Sequence, residues 1–329
     1  MMKIYDDQLI VITGGAGFIG SCLVRYLNNK GMTNLLIVDE LGHSEKWKNL
    51  VGKKFVDIIP KHQLFNWLNG KESLIEAFVH LGACSNTLEK DASYLLENNY
   101  RYTVQLAEYA LKHEHRFIYA SSAATYGDGL KGFQDKENEL YSLEPLNMYG
   151  FSKQLFDQWA YTEGALEKIV GLKYFNVFGP NEYHKGRMAS AVNKMVPEIL
   201  KGETVKLFKS SEPHLYADGE QKRDFIYVKD VVRITCAFLE NDVGGLYNVG
   251  SGEASTWNSL THAVFKALDC PVRIEYVDMP KELVGKYQNY SRADTKKLET
   301  ILKDQSHPML LEAAIEDYVK NYLVTKKIW

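Results

Sequence analysis

The sequence predicts an α/β protein built on a doubly wound parallel sheet. Short apolar runs typical of buried strands alternate with longer segments in which apolar residues recur at helical spacing. A glycine-rich turn at residues 13–20 joins the first strand to the first helix. This alternation places helices on both faces of a parallel sheet, because right-handed crossovers carry each helix back over the strands.

Each element follows from its residue pattern. Strands are predicted at the apolar, often β-branched runs 9–13, 35–38, 77–81, 117–120, 169–175, 225–227 and 246–249. Helices are predicted at 18–29, 94–111, 149–161, 188–201, 256–268 and 309–324, and polar loops at 181–187 and 210–222. We expect a larger sheet domain over residues 1–178, with a return crossover near 224–250, and a smaller α/β domain over most of residues 179–329.

Composition narrows the class of protein. The 329 residues carry a formal net charge of −3, which provides no basic excess for nucleic acid. The four cysteines are scattered without a CxxC pair, as in reduced cytoplasmic proteins. No apolar stretch approaches the ~20 residues of a membrane helix, and the nine histidines form no metal motif. We expect a cytoplasmic protein that binds no nucleic acid, membrane or metal.

The glycine-rich turn indicates a dinucleotide site. Gly14 allows the tight turn, Gly17 lets the backbone approach a pyrophosphate, and Gly20 lets the helix pack closely on the strand. The phosphates would then meet free N–H groups at the positive end of the helix. Asp39 follows at the end of the second strand, where an acidic residue accepts a hydrogen bond from a ribose hydroxyl. The larger domain is therefore predicted to bind a dinucleotide, and the smaller domain the substrate.

The residues near Asp39 give opposing signals about the dinucleotide. Asp39 and Glu40 favour NAD, whose ribose has a free 2′-hydroxyl. Lysines at 46, 48, 53, 54 and 61 would instead neutralise the 2′-phosphate of NADP, or simply form a solvated surface. These residues alone leave the choice between NADP and NAD open.

A YxxxK pair indicates proton-transfer chemistry. Tyr149 and Lys153 are four residues apart at the start of a predicted helix, so both side chains lie on one face. A nearby ammonium lowers the pKa of a phenol by favouring phenolate, and we expect the pair to act as a general base. Ser122 or Thr125, at the end of the 117–120 strand, would donate a hydrogen bond to a substrate oxygen.

Several segments together resemble the extended short-chain dehydrogenases that act on nucleotide sugars: TGGAGFIG, YASSAATYG, YGFSK and KYFNVFGP. Further segments, such as HLGACSNT at 80–87 and GPNEYHKGRMAS at 179–190, are similar to the members that epimerise ADP-linked heptoses. The resemblance covers nearly the whole chain. It implies a Rossmann-type fold, a homo-oligomer, NADP or NAD as cofactor, and ADP-heptose as substrate for lipopolysaccharide inner-core synthesis. Hydride would leave carbon 6 and return to its opposite face.

The resemblance also assigns roles to individual positions. Tyr149 and Lys185 match two acid/base groups, Ser122 a hydrogen-bonding serine, and Lys153 a ribose-binding lysine. Besides the three glycines, cofactor contacts are implied for Phe18, Ile19, Asp39, Glu40, Lys46, Lys61, Leu81, Gly82, Ala83, Cys84, Ser85, Asn98, Tyr149, Lys153, Val177 and Lys185. Substrate contacts are implied for Ser122, Asn176, Arg187, Lys194, Phe208, Lys209, Ser210, Ser211, Arg223 and Tyr287.

Some positions depart from the family pattern. Glu40 replaces an asparagine common in NADP-using members, and Leu81 stands where a glutamate often precedes GACS. Arg187 and Lys194 replace a frequent serine and histidine. The segment 212–221 is longer than usual.

Alternatives remain at this stage. Lys185 would also suit a phosphate contact, and Arg223 an ion pair with Asp224. The whole chain would also suit a UDP-hexose 4-epimerase or a non-catalytic dinucleotide sensor, since a fold does not determine function. A dehydratase is disfavoured because no carboxylates follow Ser122 in the stretch 122–126.

Overall fold

The computed structural model describes residues 8–280 and 288–329. The predicted doubly wound sheet is confirmed: seven parallel strands lie in the order β11-β6-β5-β4-β1-β2-β3. The strands are β1 Leu9–Thr13, β2 Leu35–Val38, β3 Asp57–Ile59, β4 Ile75–His80, β5 Arg116–Ser122, β6 Val170–Tyr174, β7 Asn176–Phe178, β8 Val205–Phe208, β9 Lys222–Arg223, β10 Phe225–Tyr227, β11 Gly245–Val249, β12 Ser255–Thr256 and β13 Ile274–Val277.

Helices pack on both faces of this sheet, and further helices lie beside the small sheets. They are α1 Phe18–Asn29, α2 Leu64–Leu68, α3 Ala92–Leu95, α4 Tyr102–Lys112, α5 Met148–Thr162, α6 Ala191–Leu200, α7 Val228–Ala237, α8 Trp257–Ala267, α9 Lys296–Leu302 and α10 Leu311–Tyr318. A π-helical turn joins α3 to α4, so the helix predicted at 94–111 is present with a local irregularity. No helix in the described ranges has the length and apolar character needed to cross a bilayer.

Alternating side chains divide the core into two layers. On β1, Ile10 and Ile12 face the layer that contains α1 and α7, whereas Val11 faces the layer of α4 and α5. Successive strand residues point to opposite faces, so a strand buried on both sides has to be apolar throughout. This requirement explains why the strands are continuous apolar runs.

The order of the strands fixes where a ligand binds. From β1 the chain moves outward through β2 and β3, and then returns to build β4, β5 and β6 on the other side of β1. The two crossovers diverge between β1 and β4. In open α/β sheets this switch point, at the carboxyl ends of the strands, is the ligand crevice.

The second half of the chain contributes to two regions. Strand β10 pairs with β7, helix α7 packs on α1, and β11 forms an edge of the seven-stranded sheet. Elsewhere β8 pairs with β13 and β9 with β12, beside α6 and α8. The chain therefore returns to the large sheet at β11.

One predicted loop is wrong in detail. Residues 181–187 were expected to lack helical structure, but Tyr183–Met188 forms a 3₁₀ helix, and α6 begins only at Ala191 rather than at 188. The break has two causes. Gly186 has a φ of +52°, which interrupts the helical path, and the Ser190 hydroxyl accepts a hydrogen bond from the N–H of Asn193 and so caps α6.

Candidate functional site

A cavity of about 550 Å³ lies at the switch point, above the carboxyl ends of β1, β2, β4, β5 and β6. We call it the main cavity. Its wall contains most of the positions that the sequence singles out for cofactor or chemistry. These are Gly14, Gly17, Phe18, Ile19, Gly20, Asp39, Lys46, Leu81, Gly82, Ala83, Cys84, Ser85, Ser122, Tyr149, Lys153, Val177 and Lys185.

The glycine-rich turn forms one side of the main cavity. Gly14 has a φ of +67°, and a Cβ there would lie 2.7 Å from the backbone nitrogen of Gly82. Only glycine allows both the left-handed backbone and this close approach. Gly17 begins α1 without a side-chain cap, so N–H groups at the positive end of the helix remain available for phosphate oxygens. These features fit a dinucleotide pyrophosphate.

Asp39 supports the turn and is paired with a cation. One carboxylate oxygen accepts the N–H of Ala16 at 2.9 Å, and the other accepts the Lys46 ammonium at 2.6 Å. Lys46 belongs to the 3₁₀ helix Glu45–Leu50, which lies beside the turn. Both side chains line the main cavity. The end of β2 thus presents a carboxylate and an ammonium side by side to the main cavity.

Three charged residues near Asp39, namely Glu40, Lys53 and Lys61, are bonded to other protein groups. The exposed Glu40 carboxylate accepts the N–H of Lys61 and lies 3.2 Å from the His62 ring. The Lys61 ammonium is hydrogen-bonded to Asn98. Lys53 is buried, and its ammonium donates to the main-chain oxygen of Asn49. Lys53 is therefore excluded as a partner for a 2′-phosphate.

The wall at residues 81–85 depends on buried residues that the sequence analysis missed. Asn99 accepts the Cys84 N–H at 2.8 Å and donates to the Cys84 carbonyl and to the Ser152 hydroxyl. His80 bridges the hydroxyls of Thr13 and Thr103, and burial lowers its pKa to about 3. The imidazole is consequently neutral and can donate and accept at once. No local pattern distinguishes Asn99 from its neighbour Asn98, which was predicted instead.

The pKa of Tyr149 in the Tyr149–Lys153 pair differs from what the sequence predicts. Burial raises the pKa of the Tyr149 phenol, and the hydrogen bond with Ser122 only partly opposes this effect. The net shift is therefore opposite to the lowering that we expected from Lys153. The Lys153 ammonium donates to the carbonyl of Ala120 at 2.8 Å. Burial lowers its own pKa to about 8, against a smaller opposing effect of Asp157.

Ser122 and Thr125, the two candidate hydroxyls, have separate positions. The Ser122 hydroxyl lines the main cavity and accepts the N–H of Ala124. Thr125 is fully buried, donates to the Ser122 carbonyl, and accepts the Lys173 ammonium. Ser122 is therefore the hydroxyl placed to meet a ligand, and Thr125 supports it from below.

Lys185 approaches the main cavity from the opposite side. Its ammonium lies 5.7 Å from the centre of the Phe18 ring at the start of α1, within the range of a cation–π contact. Burial lowers the pKa of Lys185, and the buried Glu182 carboxylate partly opposes this. The sequence predicted neither the burial nor the neighbouring acid. Lys185 and Tyr149 thus line one cavity from two different elements.

The remaining wall of the main cavity comes from positions that the sequence analysis did not select. They are Ser44, Asn86, Ala120, Ser121, Tyr174, Phe175, His184 and Met188. Among these positions, His184 could have been predicted from the sequence, because it directly precedes Lys185 in the segment 179–190 that resembles the family. Burial lowers the His184 pKa, and the charges of Lys185 and Lys46 lower it further.

A second cavity of about 500 Å³ adjoins the main cavity and shares Val177 and Met188 with it. Asn176, Lys194 and Phe208, three predicted substrate residues, line it. The second cavity lies beside α6 and β8, whose residues form much of its wall.

The other predicted substrate residues are placed differently. Arg187 is exposed, and its carbonyl accepts the Lys194 ammonium. Lys209 faces Asp278, and the Ser211 hydroxyl contacts Asn289. The Ser210 hydroxyl accepts the N–H of Glu212 within the 210–222 loop. Arg223 is buried in β9, and Tyr287 lies outside the described residues.

Asp224 has a structural role. Its carboxylate accepts hydrogen bonds from the N–H groups of Ser251, Gly252 and Ala293 and from the Ser251 hydroxyl. These bonds hold the loop after β11 against β10.

Comparison with known proteins agrees with this geometry. Residues 10–250 match the NAD-dependent epimerase/dehydratase family. A protein of Nitratidesulfovibrio vulgaris named ADP-L-glycero-D-manno-heptose-6-epimerase is 49% identical over 321 residues, covering 96% of this chain and 98% of that protein.

Two solved structures extend the comparison. The crystal structure of Helicobacter pylori ADP-L-glycero-D-manno-heptose-6-epimerase superposes with a TM-score of 0.80 at 30% identity, over 96% of each chain. The UDP-N-acetylglucosamine 4-epimerase of Methanobrevibacter ruminantium has the same TM-score at 26% identity, over 98% of this chain and 100% of that one. The chain therefore belongs to the NAD-dependent epimerase/dehydratase family.

Proposed function

We propose that this protein interconverts ADP-D-glycero- and ADP-L-glycero-β-D-manno-heptose at carbon 6, in the supply of heptose for the lipopolysaccharide inner core. The observation that carries the proposal is the main cavity, where a dinucleotide turn, Ser122, Tyr149, Lys153 and Lys185 meet. The 49% identity with a heptose epimerase over nearly the full length supports this choice of substrate.

A nicotinamide dinucleotide, when bound, would accept a hydride from carbon 6 and return it. The residues present fit this group, since Gly14 and Gly17 would cradle its pyrophosphate and Lys153 lines the main cavity, where its ammonium would hold the nicotinamide ribose. Ser122 would hydrogen-bond the oxygen on carbon 6 and keep it beside Tyr149, which lines the same cavity.

Two proton-transfer groups suit an inversion. The hydride leaves one face of carbon 6 and returns to the other, so the oxygen on that carbon has to point in two directions. Tyr149 and Lys185 line the main cavity from two elements, so each would serve one orientation. Burial raises the pKa of Tyr149, which suits a proton donor, and lowers the pKa of Lys185, which makes its ammonium a weaker holder of its proton.

The surroundings of Asp39 favour NADP as the dinucleotide. Lys46 neutralises Asp39 at 2.6 Å and lines the main cavity, where its ammonium would meet a 2′-phosphate. Glu40, the departure that opposes NADP, directs its carboxylate to Lys61 and His62. NAD remains the alternative, and extraction of the dinucleotide that co-purifies with the protein, followed by mass spectrometry, distinguishes the two.

A proton NMR time course tests the function. Purified protein is mixed with ADP-D-glycero-β-D-manno-heptose and no added cofactor. We expect the L-glycero epimer to appear, and Tyr149→Phe to retain the dinucleotide while losing most of the turnover. Unchanged substrate, with NADP and NAD both supplied, would contradict the proposal and favour a UDP-hexose substrate or a sensor.

A further inference from the structure

One buried amide connects the glycine-rich turn to the segment that carries Lys185. Asn49 lies in the 3₁₀ helix Glu45–Leu50 and is 3% exposed. Its side-chain nitrogen donates to the carbonyl oxygens of Ala16 at 3.1 Å and of Asn181 at 3.0 Å. The same nitrogen lies 3.3 Å from Nδ1 of His184. Ala16 belongs to the turn, and the other two residues belong to residues 180–188, which we call the lysine loop.

The lysine loop needs such anchors because its backbone is irregular. Asn181 has a φ of +74° and Gly186 a φ of +52°, so the chain departs from regular geometry at both positions. Two further side-chain bonds tie the loop to α1. The Cys22 thiol donates to the carbonyl of Pro180 at 3.4 Å, and the Asn181 amide donates to the Ser21 hydroxyl at 3.0 Å.

Asn49 differs from these anchors because it reaches the turn itself. The N–H of Ala16 is bound by Asp39, while the carbonyl of Ala16 is bound by Asn49. Asn49 does not line the main cavity. It therefore lies outside the main cavity, yet it contacts both the glycine-rich turn and the lysine loop, which line that cavity.

We infer that Asn49 is a positioning residue that holds the lysine loop at a fixed distance from the glycine-rich turn and so places Lys185 in the main cavity. The inference rests on the role proposed above for Lys185. The Lys185 ammonium lies over Phe18 of α1, and it reaches that position only while the loop remains docked on the turn.

The substitution Asn49→Leu keeps the side chain near its original volume and removes both donated hydrogen bonds. The carbonyls of Ala16 and Asn181 then lose this donor, and the loop moves toward water to satisfy them. A displacement of ~1 Å at a catalytic group can lower a rate roughly 100-fold. We expect kcat to fall by about 10- to 100-fold, with KM and the co-purified dinucleotide changed by less than about threefold.

Asn28→Leu is the matched control. Asn28 is near the other end of α1, and its side-chain nitrogen also donates to two carbonyl oxygens, those of Met32 and Lys54, each at 2.9 Å. Its loss should lower thermal stability with little change in kcat. Equal losses of kcat in both variants would show that general destabilisation of α1 explains the effect, and would overturn the inference.

A double-mutant cycle with Lys185→Met tests whether Asn49 acts through Lys185. We expect Asn49→Leu to lower the residual kcat of Lys185→Met by less than about threefold, because the group that it positions is already absent. Losses that multiply in the double variant would overturn the inference. The proposed function fails in a different way: the wild-type protein would leave ADP-heptose unchanged, or Lys185→Met alone would keep full activity.

Discussion

The buried ion pair beneath the main cavity leads to a prediction about stability. Lys173 on β6 donates to the Asp157 carboxylate at 2.6 Å and to the Thr125 hydroxyl at 2.8 Å. The side chains of the pair are 1% and 0% exposed. Asp157 also accepts the hydroxyls of Tyr119 and Ser121. The pair thus supports the end of β5, which carries Ser122 into the main cavity.

Replacing Lys173 with Met leaves the Asp157 carboxylate charged and buried with two hydroxyl donors. Breaking a buried pair from one side costs about 3–5 kcal/mol, because the remaining charge loses its compensation. A domain is stable by only about 5–15 kcal/mol, so this loss is a large part of the total. Adding Asp157→Asn removes the orphaned charge and keeps one oxygen, so that one of the two hydroxyls of Tyr119 and Ser121, which donate to different carboxylate oxygens, still has its acceptor. We expect the double variant to recover at least about 1 kcal/mol.

Urea unfolding followed by circular dichroism measures the free energy of unfolding of the wild type, of Lys173→Met and of the double variant. The prediction requires Lys173→Met to be the least stable of the three proteins, and the double variant to lie between it and the wild type. If the double variant is as unstable as Lys173→Met, the uncompensated carboxylate is not the cause, and the reasoning is wrong.

Three further predictions concern the cofactor side of the main cavity. Gly14→Ala should abolish co-purification of the dinucleotide, since the new Cβ would lie 2.7 Å from the backbone nitrogen of Gly82. Gly31→Ala is the control: Gly31 has a φ of +87° and open space around it, so this variant should keep the dinucleotide and lose only about 1–2 kcal/mol of folding stability from backbone strain. Lys46→Met should weaken NADP binding to the stripped protein by about 10- to 100-fold and NAD binding much less, by calorimetry. Because burial lowers the Lys153 pKa to about 8, the empty protein loses that ammonium charge as the pH rises through this value. Dinucleotide affinity should therefore be steady below about pH 8 and fall above it, and Lys153→Met should remove this dependence.

Local sequence patterns predicted six of the seven strands of the large sheet, and β3, Asp57–Ile59, was missed. The bounds of β1, α1 and β2 agree with the predicted runs 9–13, 18–29 and 35–38, because alternation and helical spacing are properties of neighbouring residues. The small two-stranded sheets were harder to predict from the sequence. Strand β8 pairs with β13, nearly seventy residues away, and neither run stands out by itself, so their pairing depends on the rest of the fold.

The same distinction holds for the site. Gly14, Tyr149 and Lys153 could be predicted because each belongs to a short motif with a known geometry. Asn49 could not, because its importance depends on a carbonyl 33 positions earlier and another 132 positions later. The pKa of Tyr149 shifts opposite to the lowering expected from Lys153 for a related reason: spacing along a helix places two side chains together, but burial is the largest influence on the pKa of each.

An isotope experiment tests the central claim most directly. ADP-D-glycero-β-D-manno-heptose labelled with deuterium at carbon 6 is incubated with the protein in ordinary water, and the product is examined by NMR and mass spectrometry. If one hydride leaves and returns inside the main cavity, the L-glycero product keeps its deuterium at carbon 6. Loss of the label to water during conversion would show that the carbon exchanges a proton, and would contradict reversible oxidation as the mechanism.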